Sequence, residues 1–403
     1  MSKTVVFCAD GTWNGPGEPD SDDKTAPFTN VFKLFSNLGG CPTPETSQYE
    51  KEQERVLTAA DGTTLQHAKY LNGVGDSDNF LVKALGGVLG AGLITRIVRG
   101  YTYISRNYLA SDQIFIIGFS RGAYTARALA GLIAAKGLLD ATRLGLTNDN
   151  KEIAYRLGAA VWYDYLSTRL QANRDWFGRL EDIVFDLPRF LMAPPRPDQL
   201  LSAPIEAVAV WDTVGSLGIP DYNVRLKRLD PLQFADLKLS PVVRYGLHAI
   251  AVDEMRTDFT PTLWKPDARI TQVLFGGAHA DVGGGYPQGN DESALSDTTL
   301  KWMTTELAKL GVHFSASPHF MPKPKATGPG HRPWDHPPWN LLAHGARSFI
   351  LPNRLCLSQS VLDRIAGGDV IADFGFGPAS AYTPTNLSAY ITGRAATAGV
   401  VVV

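Results

Sequence analysis

Short apolar runs that end in glycine- or aspartate-rich loops are the strongest constraint on how this chain folds. Four such runs are rich in β-branched residues: Thr4–Cys8, Gln113–Ile117, Ile205–Trp211 and Ile270–Phe275. Continuous apolar runs of this length are typical of strands that are buried on both faces, as in a parallel sheet. They therefore predict strands of a mostly parallel sheet, with polar loops at the strand ends.

Helical patterns lie between these runs. From Leu93 to Leu109, apolar residues recur at spacings of three and four, which indicates an amphipathic helix. A second helix is expected to begin just after Ser120. Its apolar positions are Ala126, Leu129, Ala130 and Ile133. The alternation of strand and helix predicts an α/β fold with a mostly parallel sheet that is flanked by helices.

The domain organisation follows from length and from three irregular segments. A chain of 403 residues suits one large domain with insertions, and we expect a single domain of this α/β class over residues 1–403. Residues 142–204 are helical and aromatic in character and predict an inserted helical cap, which residues 220–245 would continue. Most of the aromatic residues of the cap are expected to pack in its own core. Residues 318–339 are rich in Pro, Gly and His and predict a loop.

The overall composition excludes several classes of function. The formal net charge is −2, so a whole-protein electrostatic role on nucleic acid is not expected. The cysteines Cys8, Cys41 and Cys356 lie far apart and predict free thiols. The N-terminal apolar run is too short for a signal peptide, and no stretch is long enough to span a bilayer. We expect a cytoplasmic protein, which would need a non-Sec route to act outside its cell.

A nucleophile motif follows the second apolar run. Residues 118–122 read Gly-Phe-Ser-Arg-Gly, a G-x-S-x-G pattern with Ser120 at its centre. The pattern alone arises by chance in a chain with 39 glycines, but here a strand precedes it and a small-residue helix follows it. In that context the serine lies on a strained strand-to-helix turn that exposes its Oγ. The N–H of Arg121 would then point at the oxyanion.

The expected partners of this serine are an acid and a base, in the chain order Ser, Asp, His. Asp212 follows the third apolar run, and His279 lies in a glycine-rich loop after the fourth. Both positions are at the carboxyl ends of predicted strands, where ligands bind in open α/β sheets. His279 would accept the Ser120 proton, and Asp212 would orient the imidazole and stabilise its charged form.

Other acids and bases remain open as alternatives. Asp253 and Asp281 are rival acids, and Asp281 is the better candidate for a supporting group because it lies only two residues from His279. His248 also lies near a strand-like run. The remaining histidines between residues 313 and 344 fall in loop-like sequence, and a surface role is expected for most of them.

Two glycine-containing loops have competing interpretations. Asp10, Gly11 and Thr12 follow the first strand, so Gly11 or Thr12 would supply the second oxyanion N–H and Asp10 would support that loop; a simple Asx turn is an equally good interpretation. Residues 86–92 are glycine-rich but lack the Gly-Lys-Ser/Thr ending of a phosphate-binding loop. No metal-ligand spacing is present, and we expect neither a metal nor a cofactor.

These motifs together resemble a known family, the catalytic domain of type VI secretion phospholipase effectors. The matching segments are ADGTWN (9–14), NGVG (72–75), GFSRGAYTAR (118–127), VWDTVGSLG (210–218), HAIAVDEMR (248–256) and FGGAHADVGGGY (275–286). In the family the first segment usually reads FDGTWN, so ADGTWN in this chain is a minor departure. The resemblance implies an α/β-hydrolase fold, esterase or phospholipase activity for some members, and a triad that falls on Ser120, Asp212 and His279.

Three functions compete at this stage. The first is hydrolysis of a carboxylic ester, with a small ester or a lipid as substrate; a lipid would bring peripheral contact with a membrane. The second is a non-catalytic binding protein that keeps the fold, although the complete ordered triad argues against it. The third is hydrolysis of an amide or thioester by the same residues, which the nucleophile chemistry does not distinguish.

Overall fold

Each of the four apolar runs forms a strand of one sheet in the computed structural model. The structure describes residues 2–11, 27–44, 46, 51–73, 89–148, 150–171, 192–214, 237–337, 339–341, 343–349 and 355–387. Its strands are β1 (Thr4–Ala9), β2 (Cys41–Pro42), β3 (Glu52–Thr58), β4 (Thr64–Leu71), β5 (Gln113–Phe119), β6 (Leu138–Leu139), β7 (Leu200–Leu201), β8 (Ile205–Trp211), β9 (Val243–Ala251), β10 (Ile270–Phe275), β11 (Leu355–Leu357), β12 (Asp369–Ile371) and β13 (Ala379–Ala381).

The main sheet has nine strands within the described residues, in the order β11-β10-β9-β8-β5-β1-β4-β3-β2. All pairs from β11 across to β4 are parallel, whereas β3 runs antiparallel to β4 and β2 antiparallel to β3. Two short antiparallel pairs, β6 with β7 and β12 with β13, lie outside this sheet. The predicted α/β class with a mostly parallel sheet is confirmed.

Helices cover both faces of the sheet. They are α1 (Asn30–Ser36), α2 (Leu89–Asn107), α3 (Arg121–Lys136), α4 (Ala141–Leu144), α5 (Lys151–Gln171), α6 (His279–Gly283), α7 (Ala294–Lys309) and α8 (Gln359–Ala366). Alternate residues of the central strands face opposite layers: Phe7 and Ile116 pack with α2 and α3, whereas Cys8 and Ile117 pack with α1 and α7. Burial on both faces explains why these strands are continuously apolar.

The order of the strands reverses between β1 and β5. The chain leaves β1 towards β4 on one side, and it leaves β5 towards β8 on the other. Such a reversal opens a crevice at the carboxyl ends of the two strands, where open α/β sheets bind their ligands. The crevice is bordered by the loops that begin at Asp10 and at Ser120.

The described part of the predicted cap packs beside the sheet. Trp162 of α5 is fully buried together with residues of α2 and α3, and a Cβ at Gly158 would crowd Thr102 of α2. Lys136, in the last turn of α3, is paired with Asp164 of α5 at 2.8 Å. Residues 172–191 and 215–236 lie outside the described residues, so a cap over residues 142–204 with a continuation over 220–245 stays a prediction.

The segment after α7 returns to the sheet edge. Residues 318–337 form neither strand nor α-helix and contain one 3-10 turn, Pro333–Asp335; a second 3-10 turn, Trp339–Leu341, follows. The chain then adds β11 beside β10, continues into α8, and forms the β12–β13 pair. This segment therefore packs against the carboxyl-terminal half of the sheet.

Candidate active site

Ser120 lies on the turn between β5 and α3. Its backbone has φ 56° and ψ −122°, a conformation that is unfavourable for a residue with a side chain. The flanking glycines make the turn sterically feasible: a Cβ at Gly118 would overlap the backbone of Gly122, and a Cβ at Gly122 would overlap the carbonyl oxygens of Ala9 and Asp10. The glycines thus bring the start of α3 directly against the end of β1.

Asp212 follows β8 and is completely buried. Its φ is 35°, a second strained position at the carboxyl edge of the sheet. The Ala251 N–H donates to its Oδ1 at 3.0 Å, and its Oδ2 lies 2.5 Å from Nδ1 of His279. The carboxylate is therefore held between the β9 end and the imidazole.

His279 begins the short helix α6 and is 6% exposed. Its ring packs on Phe119, with the ring centroids 4.6 Å apart, and the ring of Phe259 contacts it edge-on at 5.0 Å. A Cβ at Gly283 would overlap the Phe119 ring, so a glycine there lets α6 approach β5. The imidazole therefore lies next to the residue that precedes Ser120.

These contacts bring the three predicted residues to one place. The N–H of Ser120 donates to the carbonyl of Trp211 at 3.1 Å, and Asp212 is the residue directly after Trp211. His279 contacts Asp212 through Nδ1 and contacts Phe119 through its ring. Nδ1 is thereby engaged with the carboxylate, which leaves Nε2 as the nitrogen for any proton transfer.

Arg347 is a residue of this site that sequence reasoning missed. Its Nη1 donates to Asp212 Oδ1 at 2.7 Å and its Nη2 to Asp212 Oδ2 at 2.9 Å. The guanidinium also donates to the carbonyls of Ala251, at 2.7 Å, and Phe259. Arg347 lies 135 residues from Asp212, in a stretch without periodicity or motif. No sequence pattern therefore predicts that Arg347 belongs to the site.

A second ion pair supports the backbone of His279. The N–H of His279 donates to Glu254 Oε2 at 3.2 Å, and Arg256 donates to both oxygens of Glu254 at 2.8 Å. The Arg256 guanidinium lies 3.6 Å from the centroid of the Phe259 ring that contacts the imidazole. Glu254 and Arg256 belong to the HAIAVDEMR segment, so the sequence held a signal for them, although their roles were not predicted.

The electrostatics of this cluster favour a charged acid and a neutral base. Burial alone would raise the pKa of Asp212, but the charge of Arg347 and the hydrogen bonds from His279 and Arg347 hold it well below its ordinary value. Burial lowers the pKa of His279, and Asp212 opposes that effect only in part. The imidazole is therefore neutral at neutral pH and available as a proton acceptor.

The loop after β1 is held by the Asp10 carboxylate. Gly11 donates its N–H to Asp10 Oδ1 at 2.6 Å, and Thr29 and Tyr70 donate their hydroxyls to Oδ2 at 2.7 Å each. Burial raises the pKa of Asp10 to about 6. In this structure the Gly11 N–H is thus engaged with Asp10, and Thr12 lies outside the described residues. Arg121 is the first residue of α3, whose first N–H groups point away from the helix.

The rival residues have other partners. Asp253 accepts from the Gly277 N–H at 2.6 Å and from the Tyr382 hydroxyl at 2.9 Å. His248 is buried within β9, where its Nε2 accepts from the Thr213 N–H at 3.1 Å and burial lowers its pKa to about 3. A histidine that stays neutral and is bonded to the backbone has a structural role.

Asp281 is paired with a histidine that the sequence predicted among surface residues. Its Oδ2 accepts from the Ala278 N–H at 2.9 Å, and its Oδ1 lies 2.6 Å from Nδ1 of His331. The His331 side chain is only 11% exposed. Asp281 therefore supports the start of α6, on which His279 lies.

The described residues contain no group of three or more His, Cys, Asp or Glu side chains that could hold a metal ion. Among the helices in the described ranges, none is both long enough and apolar enough to cross a membrane.

Fold and site together define a class: an α/β protein with a parallel sheet, whose serine, aspartate and histidine meet at the strand carboxyl ends. Comparison with known families makes the assignment specific. Residues 3–306 match the model described as "T6SS, Phospholipase effector Tle1-like, catalytic domain". This chain belongs to that family. Arg347 lies beyond the matched residues.

Individual relatives are more distant. An uncharacterised protein of Saccharomyces cerevisiae is 24% identical over 285 residues, which cover 68% of this chain and 34% of the yeast protein. Among solved structures, an uncharacterised protein from Pseudomonas aeruginosa aligns with a TM-score of 0.42 and 16% identity, over 80% of this chain and 47% of that chain. The Tle1 effector bound to the VgrG spike of the type 6 secretion system aligns with a TM-score of 0.37 and 17% identity, over 71% and 51%. The chain thus spans about a third of the yeast protein and about half of each solved chain.

Proposed function

We propose that this protein is a serine hydrolase that cleaves carboxylic esters through Ser120, His279 and Asp212, with a lipid as the substrate class. The observation that carries the proposal is the buried Asp212–His279 pair, 2.5 Å apart, beside a serine in a strained strand-to-helix turn. Strain of this kind is maintained where it positions a reacting group.

The reaction proceeds in two halves. His279 Nε2 accepts the proton of Ser120 Oγ while that oxygen attacks the ester carbonyl carbon. The tetrahedral intermediate collapses to an acyl-serine, and His279 returns the proton to the departing alcohol. Water then attacks the acyl-serine with His279 again as the base, which releases the carboxylic acid and restores Ser120. Asp212 keeps the imidazole in the tautomer that has Nε2 unprotonated and stabilises the imidazolium as it forms.

The oxyanion would be stabilised from two sides of the crevice between β1 and β5. The Arg121 N–H, at the start of α3, is one donor, and the helix N-terminus adds a favourable field. The loop after β1 supplies the second donor. Because the Gly11 N–H is engaged with Asp10, we assign the second donor to the N–H of Thr12. Asp10 and Asp281 do not touch substrate in this mechanism; they hold the two loops in place.

The choice of a lipid rests on family membership. A phospholipid presents its ester bonds at the surface of a bilayer, so hydrolysis would need only peripheral contact with the membrane. The same triad chemistry would also cleave an amide or a thioester. A non-catalytic binding protein would keep the fold without reacting.

A fluorophosphonate probe tests the nucleophile, because it reacts irreversibly with an activated serine. We expect the wild type to be labelled and Ser120→Ala to be unlabelled. Ser111→Ala is the matched control: Ser111 also has a positive φ, of 84°, but is exposed in the loop before β5. Equal labelling of the wild type and Ser120→Ala, or no labelling of either, would refute the proposal.

The substrate class is tested separately with short-chain esters and with phospholipid vesicles. Release of fatty acid from vesicles by the wild type but not by Ser120→Ala would support a phospholipase. Cleavage of short-chain esters without release of fatty acid from the vesicles would support esterase activity and exclude phospholipase activity.

A further inference from the structure

The residues that follow the family-matched segment reach into the proposed triad. Arg347 is 6% exposed, and its guanidinium bonds both oxygens of Asp212. Asp212 Oδ2 is shared between two donors, Nη2 of Arg347 at 2.9 Å and Nδ1 of His279 at 2.5 Å. The direction of this carboxylate, and hence of the imidazole, therefore depends on a side chain from outside residues 3–306.

The anchoring of Arg347 shows that its guanidinium is itself fixed. Nη1 donates to the carbonyl of Ala251, which ends β9, and Nη2 donates to the carbonyl of Phe259, whose ring contacts His279. A guanidinium with both terminal nitrogens engaged on a carboxylate and on backbone is a rigid fork, and lysine cannot reproduce that geometry.

Two buried ion pairs lie next to His279, Asp212–Arg347 and Glu254–Arg256. The acids are Asp212 and Glu254, and the bases are Arg256 and Arg347; all four are buried. With the imidazole neutral, this cluster sums to zero. Without Arg347 it would carry a net negative charge, which favours the imidazolium.

We propose that Arg347 is a positioning residue of this active site, which orients Asp212, and through it the imidazole of His279, by a two-point contact. The inference rests on the proposed function, because it assigns Arg347 a role in the same triad. It adds that the catalytic arrangement is completed by the segment after residue 306.

The test compares Arg347→Gln and Arg347→Lys with the wild type in the full chain. Two quantities are measured across pH: the rate of fluorophosphonate labelling at Ser120, and the titration of the His279 ring by NMR, assigned with His279→Gln. For Arg347→Gln we expect labelling to slow by about 100-fold, because the base is misoriented. The His279 titration should move to higher pH by about one unit, because a nearby positive charge is lost.

The lysine variant separates charge from geometry. Arg347→Lys keeps the positive charge but loses the fork, so we expect labelling to slow by about tenfold with little movement of the His279 titration. Arg364→Lys is the matched control, since Arg364 is another buried arginine of the same segment, bonded through Nη1 to the carbonyls of Ala326 and Gly328. Its labelling rate and its His279 titration should match the wild type.

Each outcome either supports or overturns the inference, even if a variant does not fold or the wild type is not labelled. Loss of one partner of a buried ion pair is destabilising, so Arg347→Gln could fail to fold. In that case Arg347→Lys alone decides the inference. A labelling rate of Arg347→Lys within twofold of the wild type then overturns it. An unchanged rate and titration in folded Arg347→Gln, or equal losses in Arg347→Lys and Arg364→Lys, also overturn it. If the wild type is not labelled, the proposed function fails, whereas the NMR titration still tests the coupling of Arg347 to His279.

Discussion

Two histidines of this protein contact buried carboxylates at nearly the same distance, but in different surroundings. Nδ1 of His279 lies 2.5 Å from Asp212, and Nδ1 of His331 lies 2.6 Å from Asp281. Asp212 follows a central strand and is also bound by Arg347, and its histidine packs on the residue before Ser120. Asp281 is also bound by the N–H groups of Ala278 and His331 itself.

The second pair differs most in what lies beyond its histidine. The ring of His331 stacks on Tyr286, with centroids 3.4 Å apart, and its Nε2 lies 3.8 Å from Glu292 Oε2. Burial raises the pKa of Tyr286 well above its ordinary value, so its phenol stays protonated. A short histidine–carboxylate contact therefore does not define a catalytic base. The neighbouring groups decide whether the pair has a proton to accept.

The largest expected difference between the two pairs is in activity when each histidine is replaced. His279→Gln removes the proposed base, and we expect kcat/KM for a cleaved ester to fall by about 10³-fold or more. His331→Gln removes a partner of Asp281 and should leave kcat/KM within about threefold. Steady-state kinetics on both variants checks this. Similar losses in the two variants would erase the distinction between the pairs.

Replacing the acids should separate orientation from stability. Asp212→Asn cannot hold the required imidazole tautomer, and we expect kcat to fall by about 10³-fold with a smaller change in KM. Asp281→Asn weakens the bonds to Ala278 and His331, so the free energy of unfolding should fall by about 1–3 kcal/mol while kcat stays within about tenfold. Ester kinetics and chemical denaturation measure the two effects. A larger kcat loss in Asp281→Asn than in Asp212→Asn would reverse the assignment.

The sequence was informative about the central strands, and the physical reason is burial. β1, β5, β8 and β10 are covered on both faces, so their sequences are mostly apolar and easily recognised as strands. β9 and β4 were not picked out as apolar runs, because β9 carries His248 and Arg244 and β4 carries Gln66 and Lys69. Ser120, Asp212 and His279 follow three of the readable strands, which is why sequence alone placed them together.

The sequence did not predict the polar contacts between residues that are far apart in the chain. His331 was expected with the surface histidines because it lies in a Pro-rich loop, but it bonds to Asp281, 50 residues away. Arg347 and Asp212 are 135 residues apart. An ion pair leaves no periodicity in the chain, and its partners are brought together only by the order of the strands. Such contacts need the three-dimensional structure.

The smallest expected effect is on the pH dependence, and it sharpens the comparison most. His279 must be neutral to accept the Ser120 proton, so kcat/KM falls as the pH drops through the pKa of His279. Because burial lowers that pKa, the acid limb of the profile should have its midpoint below 6.5, the ordinary value for histidine. The charged groups facing the ring are Asp212, Glu254 and Arg256, with Arg347 behind Asp212.

The second pair supplies the control for this profile. His331→Gln keeps every charged group that faces His279, so its acid limb should coincide with that of the wild type. Profiles of kcat/KM between pH 4 and pH 9, recorded for both proteins on one soluble ester, measure the midpoint. A midpoint above 6.5 in the wild type would contradict a base held neutral by burial. A shift of the acid limb on replacing His331 would mean that the two histidine–carboxylate pairs are not independent.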